Sequence, residues 1–160
     1  MDDRDLQIVS ILQRDARTSN SEIARTLGIA PSAVLERIRK LERRGVLRGY
    51  TARVDPAAVD RSLLAFIFVQ ADERPGGENL GLRLAELPES QEVHHIAGED
   101  CYLVKVRCAS TEALGRLLRE RVGAFESVRR SRTVVVLGTV KETPELSLPL
   151  FDEEVAHEPA

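Results

Sequence analysis

A stretch in the second half of the chain, HHIAGEDCYLVKV, gathers an unusual density of reactive side chains. It contains two of the three histidines, His94 and His95, together with the acidic pair Glu99-Asp100 and one of the two cysteines, Cys101. Imidazole, thiolate and carboxylate groups are the ligands that zinc prefers, and a Cys-His pair can supply a nucleophile and its base. The stretch is therefore a metal site, a catalytic site, or a turn between two strands.

Strand geometry argues against the first two interpretations. Adjacent residues of a strand point to opposite faces of the sheet, so His94 and His95 should diverge. Cys101 and Cys108 are seven positions apart, an odd number, and should diverge as well. The sequence has no CxxC or HxxxH spacing, and a Cys-His pair without a third orienting group is a weak nucleophile. We expect no catalytic residue, metal ion or cofactor, and a hairpin turn at Gly98-Glu99-Asp100.

Composition places the chain among soluble globular proteins. Its 160 residues suffice for one ordinary domain or two small ones, and 42% are hydrophobic while 31% are charged. The acidic N-terminus does not resemble a signal peptide and the apolar runs are too short for a bilayer, so we expect a cytoplasmic protein without a membrane partner. The net charge of −3 conceals a split, since residues 1–55 sum to +3 and residues 56–160 to −6. This asymmetry predicts two domains, one of which faces an anionic partner.

The pattern of residues 1–54 predicts three helices. Ser19 and Glu22 have the spacing of a capping box, which begins the second helix, and Gly28 is suited to end it. Pro31 suits the first position of a third helix, which Gly45 ends. Two helices joined by a tight turn form a helix-turn-helix. The alternating residues 46–54 are expected to form a strand in the position of a wing.

The third helix should carry a basic surface opposite its apolar stripe. Residues 32–54 hold seven basic and two acidic side chains, although the whole chain is acidic. The alternative is an ordinary solvated helix face, but the turn before it and the expected strand after it favour double-stranded DNA. Polar side chains at the start of the helix could contact base edges, and basic side chains could contact phosphates. The DNA-binding candidates are Ser32, Glu36, Arg37, Arg39, Lys40, Arg43, Arg44 and Arg48.

After a linker at 55–62, residues 63–141 read as strands and helices in the order βαββαβ, a ferredoxin-like α+β domain. Both helices of that fold cover the same face of the sheet. The strands look apolar on both sides, so a second copy of the chain is expected to cover the other face. The final strand is expected over 127–140, and residues 142–160 should form an acidic tail.

Several motifs, taken together, resemble the Lrp/AsnC (feast/famine) family of transcription regulators. The resemblance covers roughly residues 3–150. Its motifs are Asp5-x-x-Ile8-Val9-x-x-Leu12-Gln13, Leu27-Gly28-Ile29-Ala30-Pro31-Ser32, Gly45-Val46-Leu47-x-Gly49-Tyr50, His94 to Leu103, and Lys141-Glu142-Thr143 with Leu148-Pro149-Leu150.

The resemblance implies a winged helix-turn-helix joined to an effector and dimerisation domain. It implies homodimers that assemble to tetramers or octamers, and an effector, usually an amino acid, bound near the hairpin turn. The candidates for that site are His95, Gly98, Glu99, Asp100, Cys101, Ser131 and Thr133.

Two departures from the family leave questions open. Ala30 stands where a capping Ser is common, and the turn Gly98-Glu99-Asp100-Cys101 replaces a Gly-Asp-aromatic-Asp pattern. Because pocket residues set effector identity, the effector cannot be carried over from relatives. Two alternatives also remain, a tetrapyrrole (siroheme) decarboxylase on the same architecture and a small-molecule sensor that no longer binds DNA.

Overall fold

The computed structural model describes residues 1–72 and 79–149, which divide into two compact units. The first comprises Met1–Arg53 and the segment that begins at Glu142, and the second comprises Val54–Lys141. Within the described ranges, no helix is long and apolar enough to cross a membrane.

The first unit is a helix-turn-helix. Its helices are α1 (Asp3–Arg14), α2 (Asn20–Leu27) and α3 (Pro31–Arg43). The capping box predicted at Ser19 and Glu22 is present, and Gly28 ends α2 in the left-handed conformation, at φ 63°. Such a φ is accessible to glycine without steric cost. The apolar stripes of α1, α2 and α3 meet in one core, whose fully buried members include Ile8, Ile23, Val34 and Leu41.

The predicted wing strand is wrong. No strand forms between Val46 and Val54. Alternating side chains are compatible with an extended backbone, but a strand also needs a neighbour for its N–H and C=O groups, and none of the described segments pairs with 46–54. The segment is instead attached by Leu47, which packs against the helical core, and by Tyr50, whose hydroxyl donates to the Glu42 carboxylate over 3.0 Å.

The second unit has the expected βαββαβ order. A short 3-10 turn, Ala57–Val59, lies where the linker was predicted. The elements that follow are β1 (Leu63–Ala71), α4 (Leu80–Ala85), β2 (Ser90–His95), β3 (Tyr102–Cys108), α5 (Thr111–Arg116, continued as a π-helix over Leu117–Val122) and β4 (Val128–Val135). The strands are antiparallel neighbours in the order β2-β3-β1-β4, which confirms the ferredoxin-like α+β prediction.

The two faces of this sheet differ. Alternate residues of β1, among them Ile67 and Val69, are fully buried against the leucines of α4 and α5. We call the other side the open face. It presents the half-buried Phe66, Phe68 and Leu103, which the helices do not cover. The open face is therefore the apolar sheet surface that the sequence predicted.

The last strand is shorter than predicted. β4 ends at Val135 instead of Val140, because its neighbour β1 begins at Leu63 and offers no further partners after Leu64 accepts a hydrogen bond from Val136. Leu137 and Val140 are consequently fully exposed.

The structure describes the first part of the predicted acidic tail, 142–160, as far as residue 149. Its described part, 142–149, does not stand apart but belongs to the helix-turn-helix unit. Leu148 packs against the core of that unit, and Gln13 forms two hydrogen bonds with the backbone of Leu146. Residues 150–160 lie outside the described residues.

Candidate functional site

Helix α3 presents most of the predicted DNA-binding residues on one exposed surface. Val34, Ile38 and Leu41 anchor the helix in the core. Because these positions share one side of a 3.6-residue period, the opposite side faces solvent. We call that surface the basic face of α3, and its exposed members, including the residues that follow the helix, are Ser32, Glu36, Arg39, Lys40, Arg43, Arg44 and Arg48.

The start of α3 fits close approach to a polar surface. Pro31 occupies the first helical position, and Ala30 before it provides no side-chain cap. The first backbone N–H groups of the helix are thus free of a capping side chain, and helix N-termini favour anions. Ser32 is small and exposed beside them, which suits a residue that meets a groove.

Arg37 is the exception among the predicted DNA contacts. Its Nη1 atom lies 2.7 Å from Asp2 Oδ2 and 2.7 Å from Asp5 Oδ1. The hydrogen bond that Arg37 donates to the Asp2 carboxylate is the main cause that raises the pKa of Arg37. The residue follows Val34 by three positions, so its side chain turns toward α1 rather than to solvent. Arg37 thus holds α3 against the start of α1, and its guanidinium is engaged by two carboxylates rather than available to a phosphate.

The hairpin turn between β2 and β3 is fixed to the end of β1. The Cys101 N–H donates to the Val69 carbonyl over 2.8 Å, and its Sγ lies 3.3 Å from the Ala71 carbonyl oxygen. Gly98 has φ 131°, a region that other L residues rarely adopt. Gly98 is exposed, and a Cβ built there would meet nothing within 4 Å, so its peptide groups could hold an anionic group.

The candidate effector residues fall into two groups on opposite sides of the sheet. His95, Ser131 and Thr133 point to the face that carries the helices, because they pair in register with Tyr102, Val69 and Ile67. Asp100 approaches the open face, where its carboxylate lies 3.7 Å from the Arg132 guanidinium. A single copy of the chain therefore does not bring these two groups together on one face.

Sequence reasoning missed two residues of this region. Arg132 lies between the two predicted residues Ser131 and Thr133, and its guanidinium stacks 3.9 Å from the centroid of the Phe68 ring. The alternation of β4 contained this information, since a residue between two candidates must face the other way. Gly81 was also missed, and a Cβ built there would come within 2.8 Å of the Tyr102 ring.

The two histidines diverge as predicted. The His95 ring packs beside the Tyr102 ring with centroids 5.1 Å apart, whereas His94 turns to the open face and lies 3.3 Å from Glu92. Glu92 also accepts from Lys105 over 2.9 Å, and that hydrogen bond is the main cause that lowers the pKa of Glu92. Across residues 1–72 and 79–149, no group of three His, Cys, Asp or Glu side chains could hold a metal ion.

Comparison with known proteins assigns both units. The family model described as the AsnC-type helix-turn-helix domain matches residues 1–42, and the one described as the Lrp/AsnC ligand binding domain matches residues 64–146. The HTH-type transcriptional regulator FL11 of Pyrococcus horikoshii is 38% identical, over 92% of this chain and 97% of its own. The leucine-responsive regulatory protein of Salmonella typhimurium is 36% identical, over 91% and 90%.

Solved structures agree with these matches. A transcriptional regulator from Neisseria meningitidis in complex with L-Met superposes with a TM-score of 0.88 at 27% identity, over 93% of this chain and 97% of its own. The feast or famine regulatory protein of M. tuberculosis complexed with L-methionine superposes with a TM-score of 0.82 at 36% identity, over 91% and 97%.

Proposed function

The chain belongs to the Lrp/AsnC family of transcription regulators, and we propose that it binds double-stranded DNA through the basic face of α3 under control of a small effector. The observation that carries the DNA contact is the exposure of five cations, Arg39, Lys40, Arg43, Arg44 and Arg48, on one surface of a chain with net charge −3. Such a local patch attracts phosphates even when the whole protein is acidic.

The test of DNA binding is a gel shift with the DNA upstream of the protein's own gene, repeated over a range of salt. Arg39→Ala and Lys40→Ala should each weaken binding to all sequences and reduce the salt slope by about 1. Arg116→Ala removes an exposed arginine of the second unit and serves as the matched control. An unchanged salt slope in both α3 variants would place the DNA contact on another surface. Absence of DNA binding by the wild type would favour a small-molecule sensor that does not bind DNA.

We propose an amino acid as the effector, bound near the turn at residues 98–101. Two of the similar solved structures contain L-methionine. An amino acid carries an ammonium and a carboxylate, and Asp100 and Arg132 offer the opposite charges 3.7 Å apart, beyond hydrogen-bond distance. The backbone N–H groups at Gly98 could also donate to the carboxylate of the amino acid. His95, Cys101, Ser131 and Thr133 remain candidates for the effector's side chain, with residues on opposite sheet faces contributed by different copies.

Thermal shift with each of the twenty amino acids tests this proposal. A ligand that binds the folded state raises the melting temperature by mass action. Asp100→Asn should abolish the shift, whereas Glu99→Gln at the exposed neighbouring position should retain it. If no amino acid changes the melting temperature, the effector has another chemistry.

We also propose that two copies join through their open faces and that such dimers assemble further, to tetramers or octamers. The half-buried Phe66 and Leu103 and the exposed Val134 would be covered in such a dimer. Val134→Asp should therefore yield monomers in analytical ultracentrifugation. Leu82→Asp places the same charge on α4, on the helical side of the second unit, and should leave the dimer intact.

The proposed regulator has no catalytic role. A protein that binds DNA in this way would act in the cytoplasm. The similar proteins are named as transcription regulators. An enzyme that acts on tetrapyrroles would bind siroheme with a Soret band. The appearance of that band on titration of the purified protein would favour the tetrapyrrole alternative.

A further inference from the structure

The segment 142–149, which we call the strap, is attached to the helix-turn-helix unit at three points. Gln13 uses both ends of its carboxamide: its Nε2 donates to the Leu146 carbonyl over 3.1 Å, and its Oε1 accepts from the Leu146 N–H over 2.9 Å. Arg53 donates to the Glu142 carbonyl over 3.0 Å. Leu148 packs against the helical core. The strap therefore delivers the residues after it to the surface of the DNA-binding unit.

The residues that follow the strap have the opposite charge to the basic face of α3. Residues 150–160 contain Asp152, Glu153, Glu154 and Glu158 and no Lys or Arg. The basic face carries five exposed cations, and Glu36 is its only exposed carboxylate among the residues assigned to it. We call residues 150–160 the acidic segment. A sequence rich in carboxylates resembles DNA in charge, and cations that bind phosphates also bind carboxylates.

The acidic segment is long enough to extend over most of the helix-turn-helix unit. An extended chain spans about 3.3–3.6 Å per residue, so the ten residues from Leu148 to Glu158 span up to roughly 35 Å. A compact unit of this size has a radius of gyration of about 10 Å and a diameter of about 26 Å. The chain must follow the surface, and half the circumference of a sphere of that diameter is roughly 41 Å. Glu158 can thus reach most of the unit, whereas Asp152, Glu153 and Glu154, four to six residues from Leu148, reach up to roughly 14–21 Å from it.

We propose that the acidic segment docks on the basic face of α3 and competes with DNA for it. Attachment by the strap holds its carboxylates at an effective concentration near the millimolar range, so individually weak ion pairs suffice. Because exposed ion pairs are screened by salt, the docked segment is released as ionic strength rises. The competition rests on the proposed DNA binding, whereas docking itself does not.

Docking is tested without DNA by carbodiimide cross-linking of the full chain, which joins an amine to a carboxylate in direct contact. Lys40 is the only lysine on the basic face, and Lys105 and Lys141 lie in the second unit. We expect cross-links from Lys40 to Asp152, Glu153, Glu154 or Glu158 at low salt, and their loss at about 0.5 M salt. Absence of any Lys40 cross-link to the segment overturns docking. A Lys40 cross-link that appears at twice the mass of the chain overturns docking within one chain.

Competition is tested by DNA affinity in two variants of equal charge. One neutralises the acidic segment through Asp152→Asn, Glu153→Gln, Glu154→Gln and Glu158→Gln, and leaves the strap intact. Its control neutralises four exposed carboxylates of the second unit, through Asp60→Asn, Glu86→Gln, Glu120→Gln and Glu126→Gln.

The first variant should bind DNA about 3- to 10-fold more tightly than the wild type at low salt, with a smaller gain at high salt. The control should gain less. Equal gains in both variants overturn competition, because net charge alone would then explain the effect. If neither variant nor the wild type binds DNA, the proposed function fails, and the cross-link still decides docking.

Discussion

The Nη1 atom of Arg37 lies 2.7 Å from the Oδ1 atom of Asp5, a carboxylate only 7% exposed. Asp5 also belongs to the capping box that begins α1, since its N–H donates to Asp2 Oδ1 over 2.9 Å. The same guanidinium reaches Asp2. One basic residue of α3 thus satisfies a buried charge at the start of α1, and the cations around it on α3 remain exposed.

This division predicts that two arginines only two positions apart have separate effects. Arg37→Ala leaves the buried Asp5 carboxylate without its cation and should lower the free energy of unfolding by about 1–3 kcal/mol. Arg39→Ala removes an exposed side chain and should change that free energy by less than about 0.5 kcal/mol while it weakens DNA binding. Urea denaturation and DNA titration of both variants check this. A wild-type stability for Arg37→Ala would show that the ion pair contributes nothing.

The same cluster predicts a pH dependence. The hydrogen bond from Arg37, followed by that from the Asp5 N–H, lowers the pKa of Asp2 below its ordinary value of 3.8. A carboxyl whose pKa is lowered by folding stabilises the folded state above its ordinary pKa, and that stabilisation disappears as the pH falls through the lowered value. The stability gap between wild type and Arg37→Ala should be largest near neutrality and should shrink below about pH 4.

Denaturation curves at several pH values measure this gap. A gap of constant size between neutral pH and about pH 2 would exclude a contribution from the ionised Asp2 carboxyl.

Local patterns in the sequence predicted what depends on neighbouring residues. The capping box at Ser19, the left-handed Gly28 and the first-turn Pro31 each act within four residues, and together they positioned α2 and α3. The unbroken apolar run of β1 likewise sufficed to predict a strand. Features that depend on a distant partner were missed or misplaced. The strand expected over 46–54 had no partner, β4 ended where β1 begins, and Arg37 found a carboxylate 32 residues away.

The candidate site shows the same limit. Strand alternation predicts that adjacent residues lie on opposite faces of the sheet, and this prediction is correct for His94 and His95. The contact between Asp100 and Arg132 could not be predicted, because it depends on how the turn is attached to β1 through the hydrogen bond from Cys101 to Val69. Whether residues on both faces form one effector site depends on a second copy, about which one sequence contains little information.

A close contact below the hairpin predicts the effect of one methyl group. A Cβ at Gly81 would lie 2.8 Å from Cε1 of Tyr102, a buried ring that packs beside His95. Ala is favoured over Gly in a helix by about 1 kcal/mol, but overpacking a core costs about 1–3 kcal/mol. Gly81→Ala should therefore destabilise the protein, since the Tyr102 ring is surrounded by core residues and cannot withdraw.

Gly115→Ala is the matched control for this substitution. Its added Cβ would meet only the Nη1 atom of Arg119, at 3.2 Å, and the end of that flexible side chain can move. The helical preference for Ala then dominates, and the melting temperature should stay the same or rise. A stable Gly81→Ala variant would show that the Tyr102 ring moves. A change in the thermal shift that the effector produces would then show that this movement alters the hairpin turn.

The two thiols should differ sharply in reactivity. Cys108 is only 2% exposed, and burial, followed by the nearby Glu89 charge, raises the pKa of its thiol. Because the thiolate is the reactive form, Cys108 should label with a disulfide reagent at pH 8 only as fast as the fold opens. Cys101 is half-buried at the turn and should label first. In the native state, Cys101→Ser should therefore show one slow thiol and Cys108→Ser one fast thiol, and both variants should label rapidly in denaturant. Rapid native labelling of Cys101→Ser would mean that the core around β3 opens more readily than its packing indicates.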